Sequence, residues 1–452
     1  MSSAPVELVA QVPEESPGSR QGLRAVIQSV ASKVAILALQ AGTGILTART
    51  LGPAGRGELA AMILWPLFVA SVTTLGVPSS LIYYLRHCEE EREKLIANGF
   101  LLAAVMGILA AVVCSINLPW WLHEYTPTVV HAAEWFLITV PICSVTLAGR
   151  AVLEAAHDFS ASNAIQTLTP LATLLGLLGF LATHRINPYT AAIAYIAASI
   201  PAFCFMIMRT RRAGAGRLHF QIPAIKRLLG YGIRSYGIDV LGTLALQVDQ
   251  VLVISLLSPA AMGSYVVVLS LSRMLNLFQN SVVMVLFPKA AGRSKEDVIR
   301  MTGDAVRVSG LVTAVCGVFV CIAGPVLLRL LYGQEFVEAV GALRILVVEV
   351  ILSGMVFVLA QAFMALDSPG VVTILQAVGL SLSIPMMLLL IPRYGIYGAA
   401  VSLLTSTVAR LLFVCVGFRL FLKTETPRLL LNGQDLQKLV LTVASLRSER
   451  AA

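Results

Sequence analysis

Long apolar stretches alternate with short polar segments along almost the whole chain. Residues 101–118 and 309–328, for example, contain no charged side chain, and each is close to the ~20 apolar residues that a helix needs to cross a bilayer. The pattern predicts an all-α polytopic membrane protein with about twelve transmembrane helices. The predicted spans are 28–50, 58–85, 95–119, 129–151, 159–183, 187–209, 232–257, 262–287, 305–331, 336–364, 369–391 and 395–422. Local breaks are predicted at the prolines inside these spans, Pro66, Pro78, Pro141, Pro170 and Pro385.

The overall composition supports a membrane protein. Of the 452 residues, 57% are hydrophobic and 13% are charged, whereas a soluble domain carries about 25% charge. Most of the surface is therefore expected to face lipid. Residues 1–27 are predicted to form a disordered cytoplasmic tail. Residues 423–452 are predicted to form a second cytoplasmic tail with an amphipathic helix, because Leu436, Leu439, Val440, Val443 and Leu446 recur at helical spacing.

The distribution of Lys and Arg predicts the orientation in the membrane. If the N-terminus is cytoplasmic, the predicted cytoplasmic segments hold 25 of the 33 basic residues, and two more lie within spans. Both termini are therefore expected to be cytoplasmic. The net charge of +9 is attributed to an anionic lipid surface, so no nucleic-acid partner is inferred. The predicted outer segments hold six basic residues, Arg49, Arg56, Arg185, Arg329, Arg344 and Arg393.

A short turn occurs twice in the chain. LGPAGRGEL at residues 51–59 and LSPAAMGSY at residues 257–265 share Leu, Pro, Ala and Gly at an offset of 206. Each copy joins the first and second helix of a six-helix unit, so we predict an N-terminal bundle at 28–210, a basic cytoplasmic linker at 211–231 and a C-terminal bundle at 232–422. The amphipathic segment 222–232 could lie on the inner leaflet. Two similar bundles can rock about a central cavity, or the duplication can simply build a stable bundle.

Polar residues at membrane depth usually face a cavity or each other. Arg273, Asn276 and Asn280 recur at i, i+3 and i+7 in the eighth predicted span, and Asp249 lies at similar depth in the seventh. One interpretation is that Arg273 binds a phosphate of the cargo, aided by the two asparagines, while Asp249 gates or tunes it. The other is that Arg273 and Asp249 form an ion pair that joins the two spans. Asp239, also in the seventh span, is a second candidate for gating or ion coupling.

Each of the further polar candidates either contacts cargo or has a partner in the protein or the lipid headgroups. Arg410 is deep in the last span and either contacts cargo or has an internal partner. Arg150 contacts cargo or pairs with Glu154 at i,i+4, and Lys33 either meets an anionic cargo or extends to the inner headgroups. Five glutamines could bond sugar hydroxyls or neighbouring helices, and these are Gln40, Gln166, Gln247, Gln361 and Gln376. The cysteines and histidines show no metal-ligand spacing, so no cofactor, metal site or catalytic residue is predicted.

Five stretches in order along the chain resemble the bacterial O-antigen and polysaccharide flippases of the multidrug/oligosaccharidyl-lipid/polysaccharide (MOP) exporter superfamily. They are LGPAGRGELAAMILWP (51–66), VDQVLVISLLSPAAMGSYVVVLSLSR (248–273), VVMVLFPKAAG (282–292), LLYGQEFVEAVGALRIL (330–346) and RYGIYGAAVS (393–402). The resemblance implies two bundles that flip an undecaprenyl-pyrophosphate-linked oligosaccharide across the bacterial inner membrane by alternating access. It also implies a role in lipopolysaccharide or exopolysaccharide synthesis, with membrane lipids, glycosyltransferases, a polymerase and a chain-length regulator as partners. The twelve predicted spans lack the extra helix pair with which some relatives hold the lipid tail.

Three alternatives to a flippase make different demands on the sequence. An ion-coupled drug or small-metabolite antiporter of the same superfamily would use Asp239 and Asp249 as an acidic site. A membrane glycan polymerase or ligase would need a large outer loop, whereas the longest predicted one, residues 120–129, is short. A scaffold for envelope assembly would not need deep polar residues. No phosphate-binding glycine loop followed by Lys-Ser/Thr is present, so ATP is not expected to be used directly. The chain is predicted to be a transporter and not an enzyme.

Overall fold

The computed structural model describes residues 18–212, 214, 220–290 and 292–429. Over these residues the chain is helical and contains no β-strand. The predicted amphipathic helix of the C-terminal tail and most of the predicted N-terminal tail lie outside the described residues. The long helices are α1 (Gly18–Val72), α2 (Val77–His87), α3 (Arg92–Trp121), α4 (Pro127–Phe136), α5 (Val140–Ala155), α6 (Phe159–Ala182), α7 (Pro188–Ala197), α8 (Ser199–Arg212), α9 (Ile222–Leu256), α10 (Pro259–Arg273), α11 (Asn276–Ala290), α12 (Lys295–Leu327), α13 (Val340–Ala365), α14 (Pro369–Tyr394) and α15 (Ile396–Leu420).

The helices confirm the predicted all-α membrane fold. In the described part of the chain, ten helices are long and apolar enough to cross a membrane, and a bent pair, Pro259–Arg273 with Asn276–Met284, makes eleven. The first of the ten, Ser32–Val72, consists of two helices that meet at Gly52, where φ is +66°. If its two parts cross separately, the number reaches the twelve that the apolar pattern predicts.

Two of the five prolines predicted to break spans lie at breaks. Pro78 stands in the first turn of α2, after α1 has ended at residue 72. Pro141 follows a 3₁₀ turn, Leu137–Thr139, that separates α4 from α5. At these two sites proline occupies the first turn of a helix, where its missing N–H costs little. The other three lie within continuous helices, at Pro66, Pro170 and Pro385.

The two halves of the molecule, α1–α8 and α9–α15, interlock through α9. Leu228, in the first turns of this helix, is fully buried in an apolar cluster whose other buried residues, among them Leu81 and Met206, belong to the first half. The backbone N–H of Gln221 also donates to Oδ1 of Asn98, at 2.9 Å. Segment 222–232 therefore packs against the first half, and its contact with the inner leaflet stays a prediction. Part of its apolar face is used for this packing, whereas Ile222 is 55% exposed.

The two copies of the repeated turn pack against each other. A Cβ added to Gly57 would lie 1.7 Å from the carbonyl oxygen of Pro259, and one added to Gly263 would lie 1.9 Å from that of Pro53. Because Pro53 corresponds to Pro259 and Gly57 to Gly263, the contact is reciprocal, as at a two-fold interface. We call this region the turn end. The repeat therefore has a structural use, since it supplies both sides of one tight contact between the halves.

A second set of contacts joins the halves at the opposite end, where α8 ends and α9 begins. We call it the tail end. There a Cβ added to Gly76 would lie 2.2 Å from the carbonyl oxygen of Gly232, so the backbones of α9 and of the turn before α2 touch. Side chains extend the contact: Ser79 donates to Asp239 at 2.9 Å, Tyr83 stacks on Tyr231 at 4.4 Å between ring centroids, Tyr236 donates to the carbonyl of Val72, and Arg227 pairs with Glu91.

Candidate functional site

Two adjoining cavities lie between the halves. The first, of about 570 Å³, is lined mainly by apolar side chains that include Ile63, Leu64, Leu67 and Leu246, and we call it the apolar cavity. The second, of about 470 Å³, includes Gln40, Thr43, Ser270 and Tyr332 in its lining, and we call it the polar cavity. Five residues line both cavities and so mark their junction: Arg56, Tyr195, Gln250, Val266 and Arg273.

Arg273 is the last residue of α10 and is held at this junction by a buried acid. Its Nη2 donates to Oδ2 of Asp249 at 3.1 Å, and the Tyr265 hydroxyl donates to the same oxygen at 2.8 Å. The Asp249 side chain is 1% exposed, whereas that of Arg273 is 31% exposed. The ion pair, one of the two interpretations of these residues, is therefore observed. Because a guanidinium carries five N–H donors, this pairing leaves donors of Arg273 for an anion in the cavities.

Arg56 is the site residue that the sequence did not reveal. The apolar pattern predicts that it lies in an outer segment, but in the structure it is 8% exposed and lines both cavities. Its Nε and Nη1 have no hydrogen-bond partner among the described residues. Buried guanidinium nitrogens without partners are unfavourable, and such nitrogens beside a cavity are typical of a residue that meets a ligand. The repeat contained a signal for this burial. The residue at the equivalent position of the second copy is Met262, which is apolar and therefore typical of a buried position.

The junction therefore carries positive charge from both halves. Arg56 comes from α1 and Arg273 from α10, and no acidic residue is among the described residues that line either cavity. Away from bulk water, charges act more strongly than at a surface. The arrangement favours an anion that two guanidinium groups can grip, and disfavours a cation.

The polar stripe predicted after Arg273 is broken. α10 ends at Arg273, and α11 begins at Asn276 with a bend of 42°. Asn276 and Asn280 are not among the residues that line the two cavities. Gln279 instead lies inside the second half, where its amide is 3.4 Å from the hydroxyl of Thr313. The prediction of one continuous face was wrong because it assumed a straight helix.

Arg410 belongs to a separate polar cluster within the second half. Its guanidinium donates to Oε1 of Gln376 at 3.3 Å and to the hydroxyl of Thr407 at 3.2 Å. Thr407 in turn donates to Oε1 of Glu349 at 2.8 Å. These contacts connect α13, α14 and α15 and lie outside the lining of both cavities. They favour the interpretation of Arg410 as a residue with internal partners.

The remaining charged candidates also lie outside the two cavities. Arg150 pairs with Glu154 at 3.6 Å, as the i,i+4 spacing predicts. Asp239 accepts the hydrogen bond of Ser79 at the tail end, a position suited to gating. Lys33 is exposed on α1, about one turn before the first residue that lines the polar cavity. Cargo binding by Arg150 and Lys33, and gating or ion coupling by Asp239, stay predictions.

The predicted glutamines divide into two groups. Gln40 lines the polar cavity and Gln247 lines the apolar cavity. Gln376 bonds Arg410, and Gln361 donates to a carbonyl of its own helix. Gln166 is outside both linings. The first group is therefore positioned to meet a cargo, whereas Gln361 and Gln376 have partners within the protein.

Solved structures of membrane transporters share this fold. A lipid II flippase, MurJ, in an inward closed conformation, has a TM-score of 0.77 at 14% identity, over 92% of this chain and 90% of that chain. An inward-facing multidrug resistance MATE transporter of the MOP superfamily has a TM-score of 0.69 at 14% identity, over 85% and 95%. The Vibrio cholerae MATE transporter VcmN, solved as a mutant, has a TM-score of 0.62 at 16% identity, over 89% of this chain and 98% of that chain.

The fold is thus that of MOP-superfamily transporters, and the chain is a multi-pass membrane protein. More specifically, it belongs to the polysaccharide biosynthesis protein family, whose model matches residues 46–341. No curated protein sequence matches the chain. The family membership and the fold confirm the predicted class, a MOP-superfamily polysaccharide flippase. The identity of the cargo rests on the residues of the site.

Proposed function

We propose that this protein flips an undecaprenyl-pyrophosphate-linked oligosaccharide from the cytoplasmic to the outer face of the bacterial inner membrane, for the synthesis of cell-surface polysaccharide. The observation that supports this cargo is the junction of the two cavities. Arg56 and Arg273 both line it, and nitrogens of Arg56 are buried without a partner. A pyrophosphate has two phosphoryl groups, and a guanidinium can grip phosphate oxygens with two parallel hydrogen bonds.

The two arginines also supply a mechanism for alternating access. Since Arg56 belongs to the first half and Arg273 to the second, a diphosphate held by both would pull the halves together. Binding energy would then favour a closed state, from which either end can open. In our proposal the saccharide lies in the polar cavity, where Gln40, Thr43 and Ser270 offer hydrogen bonds to its hydroxyls.

The orientation assigns a role to each end. With both termini cytoplasmic, as the basic residues predict, the tail end is cytoplasmic and the turn end is external. Cargo would enter when contacts such as the Ser79–Asp239 hydrogen bond separate. It would leave when the reciprocal contact of Gly57 with Pro259 separates. Contacts join the halves at both ends, as expected for a state between the two open ones.

The alternatives have weaker support. A cationic drug would meet two arginines, with no acidic residue among the described lining residues. A polymerase or ligase would need an external catalytic segment, but α3 ends at Trp121 and α4 begins at Pro127. The connection that was predicted to be the longest outer loop is therefore too short for a catalytic domain.

Reconstitution can separate these functions. Purified protein in proteoliposomes should flip a fluorescent undecaprenyl-pyrophosphate-linked oligosaccharide, measured as its exposure to a membrane-impermeant quencher, and protein-free liposomes should not. The same proteoliposomes should fail to move a cationic dye along a proton or sodium gradient. Gradient-driven dye transport without flipping of the lipid would contradict the proposal and favour the antiporter.

A further inference from the structure

The apolar cavity is not explained by a pyrophosphate or a saccharide. Its walls include Ile63, Leu64, Leu67, Leu246 and Met262. Sugar hydroxyls placed against such walls would lose hydrogen bonds to water without gaining others, which is unfavourable. The cavity is nevertheless in direct continuity with the arginines, because Arg56 and Arg273 belong to its lining. Its natural occupant is therefore an apolar group attached to an anion.

We propose that the apolar cavity binds the isoprenoid units of the carrier that lie next to the pyrophosphate; this inference rests on the proposed function. In the cargo, the pyrophosphate joins the lipid on one side to the saccharide on the other. In the protein, the two arginines stand where the apolar cavity meets the polar cavity. The chemical order of the ligand therefore matches the spatial order of the site, and the match fixes which end of the cargo enters which cavity.

The size and exposure of the cavity fit the first isoprenoid units of an undecaprenyl chain and not the whole lipid. About 570 Å³ is within the range of roughly 300–1,000 Å³ of small-ligand sites, and an undecaprenyl chain is far longer than such a cavity. Leu67 of α1 is 52% exposed and Leu246 of α9 is 64% exposed, so the cavity wall has one accessible leucine from each half. In our proposal the remainder of the undecaprenyl chain leaves the cavity past these two leucines.

This subsite gives the carrier lipid a place without an additional helix pair. Burial of apolar surface stabilises binding roughly in proportion to the area buried. The first isoprenoid units would therefore add affinity to that of the pyrophosphate. They would also fix the direction of the cargo, with the saccharide in the polar cavity.

The test compares two ligands on the purified protein by calorimetry: inorganic pyrophosphate, and geranyl pyrophosphate, which carries a short isoprenyl chain on the same anion. We expect geranyl pyrophosphate to bind at least about tenfold more tightly. Leu246→Asn, and separately Leu67→Asn, should remove most of that gain and leave pyrophosphate affinity unchanged. Leu412→Asn is the matched control, because Leu412 is 62% exposed on α15 and lies outside both linings; it should leave both affinities unchanged.

Each outcome has a distinct meaning. Equal affinity for the two ligands, or the same loss in Leu412→Asn as in Leu246→Asn, would overturn the isoprenoid subsite and leave the anion site intact. Unchanged pyrophosphate affinity in the leucine variants shows that they are folded. If pyrophosphate does not bind at all, or binds equally well to Arg273→Gln, the proposed function itself fails.

Discussion

The side chains of Arg273 and Asp249 form an ion pair of unequal exposure. The carboxylate is 1% exposed and bonded to the Tyr265 hydroxyl, whereas the guanidinium is 31% exposed at the wall of two cavities. Asp249 therefore fixes the position of Arg273 from the buried side of the guanidinium. The carboxylate partly offsets the positive charge that an incoming phosphate meets at the free donors of Arg273, so the pair can both orient the site and limit its affinity for an anion.

Removing the charge of Asp249 should strengthen anion binding. In Asp249→Asn, we expect pyrophosphate affinity to rise by about tenfold and flipping to slow, because release becomes harder. Calorimetry and the proteoliposome assay measure the two effects. Asp367→Asn is the control, since Asp367 is exposed with φ +55°, a conformation that Asn tolerates. Unchanged or weaker pyrophosphate binding in Asp249→Asn would contradict the view that the Asp249 charge limits the affinity for an anion.

Exchanging the two residues tests whether the ion pair alone matters. The double variant Asp249→Arg with Arg273→Asp keeps a pair but moves the positive charge away from the cavities. We expect normal membrane insertion and no flipping, measured in the proteoliposome assay. Full activity of this variant would mean that the pair has only a structural role.

Arg56→Met should make the protein more stable and less able to bind anions. The substitution removes a buried guanidinium with unpartnered nitrogens. It introduces the residue type found at the equivalent position of the second copy of the turn, Met262. Relief of an unsatisfied buried group is worth about 1–3 kcal/mol, so the midpoint of thermal unfolding should rise by a few degrees while pyrophosphate affinity falls. Arg329→Met, at an exposed position, should change neither. A fall in stability with unchanged affinity would assign Arg56 to structure.

The reciprocal turn contact makes two distant glycines equivalent. Gly57→Ala and Gly263→Ala should each destabilise the protein by about 1–3 kcal/mol, because the new methyl group would overlap a proline carbonyl at 1.7 and 1.9 Å. Gly179→Ala, where a Cβ meets nothing within 4 Å, should be neutral or slightly stabilising. Thermal unfolding in detergent measures all three. Different effects of the first two variants would contradict the pseudo-symmetric contact.

Breaking the tail-end hydrogen bond should open that end more often. Ser79→Ala and Asp239→Ala each remove the same 2.9 Å bond, so the double variant should be no worse than either single one. The readout is the alkylation rate of Cys88, which accepts a hydrogen bond from Arg227 in the same contact; we expect a several-fold increase. Ser115→Ala is the control, because its hydroxyl bonds only within its own helix. Unchanged alkylation in both variants would exclude a gating role for Asp239.

The sequence predicted the features that depend on local pattern and depth. The apolar spans indicated the all-α membrane fold, and equal depth on consecutive spans was sufficient to suggest the pair of Asp249 and Arg273. The repeated turn predicted two similar units, but it did not predict that its two copies touch. That contact depends on tertiary packing at Gly57 and Gly263.

The failures have physical causes as well. Arg56 looked like a surface charge, because its burial follows from the close approach of the two turns and not from its neighbours in the chain. The stripe through Asn276 failed because α10 and α11 are bent at residues 274–275, where Met and Leu give no sign of a break. Helix breaks are predicted from proline and glycine in a sequence, and neither residue stands at 274–275.

The central claim is that a diphosphate-linked lipid crosses the membrane between Arg56 and Arg273. It is tested most directly by the flipping rate of undecaprenyl-pyrophosphate-linked oligosaccharide in proteoliposomes that contain equal amounts of wild-type, Arg56→Gln, Arg273→Gln or Arg329→Gln protein. We expect the wild type and Arg329→Gln to flip the lipid at the same rate, and the other two to fall to the protein-free background. A wild-type rate in either Arg56→Gln or Arg273→Gln would contradict the account.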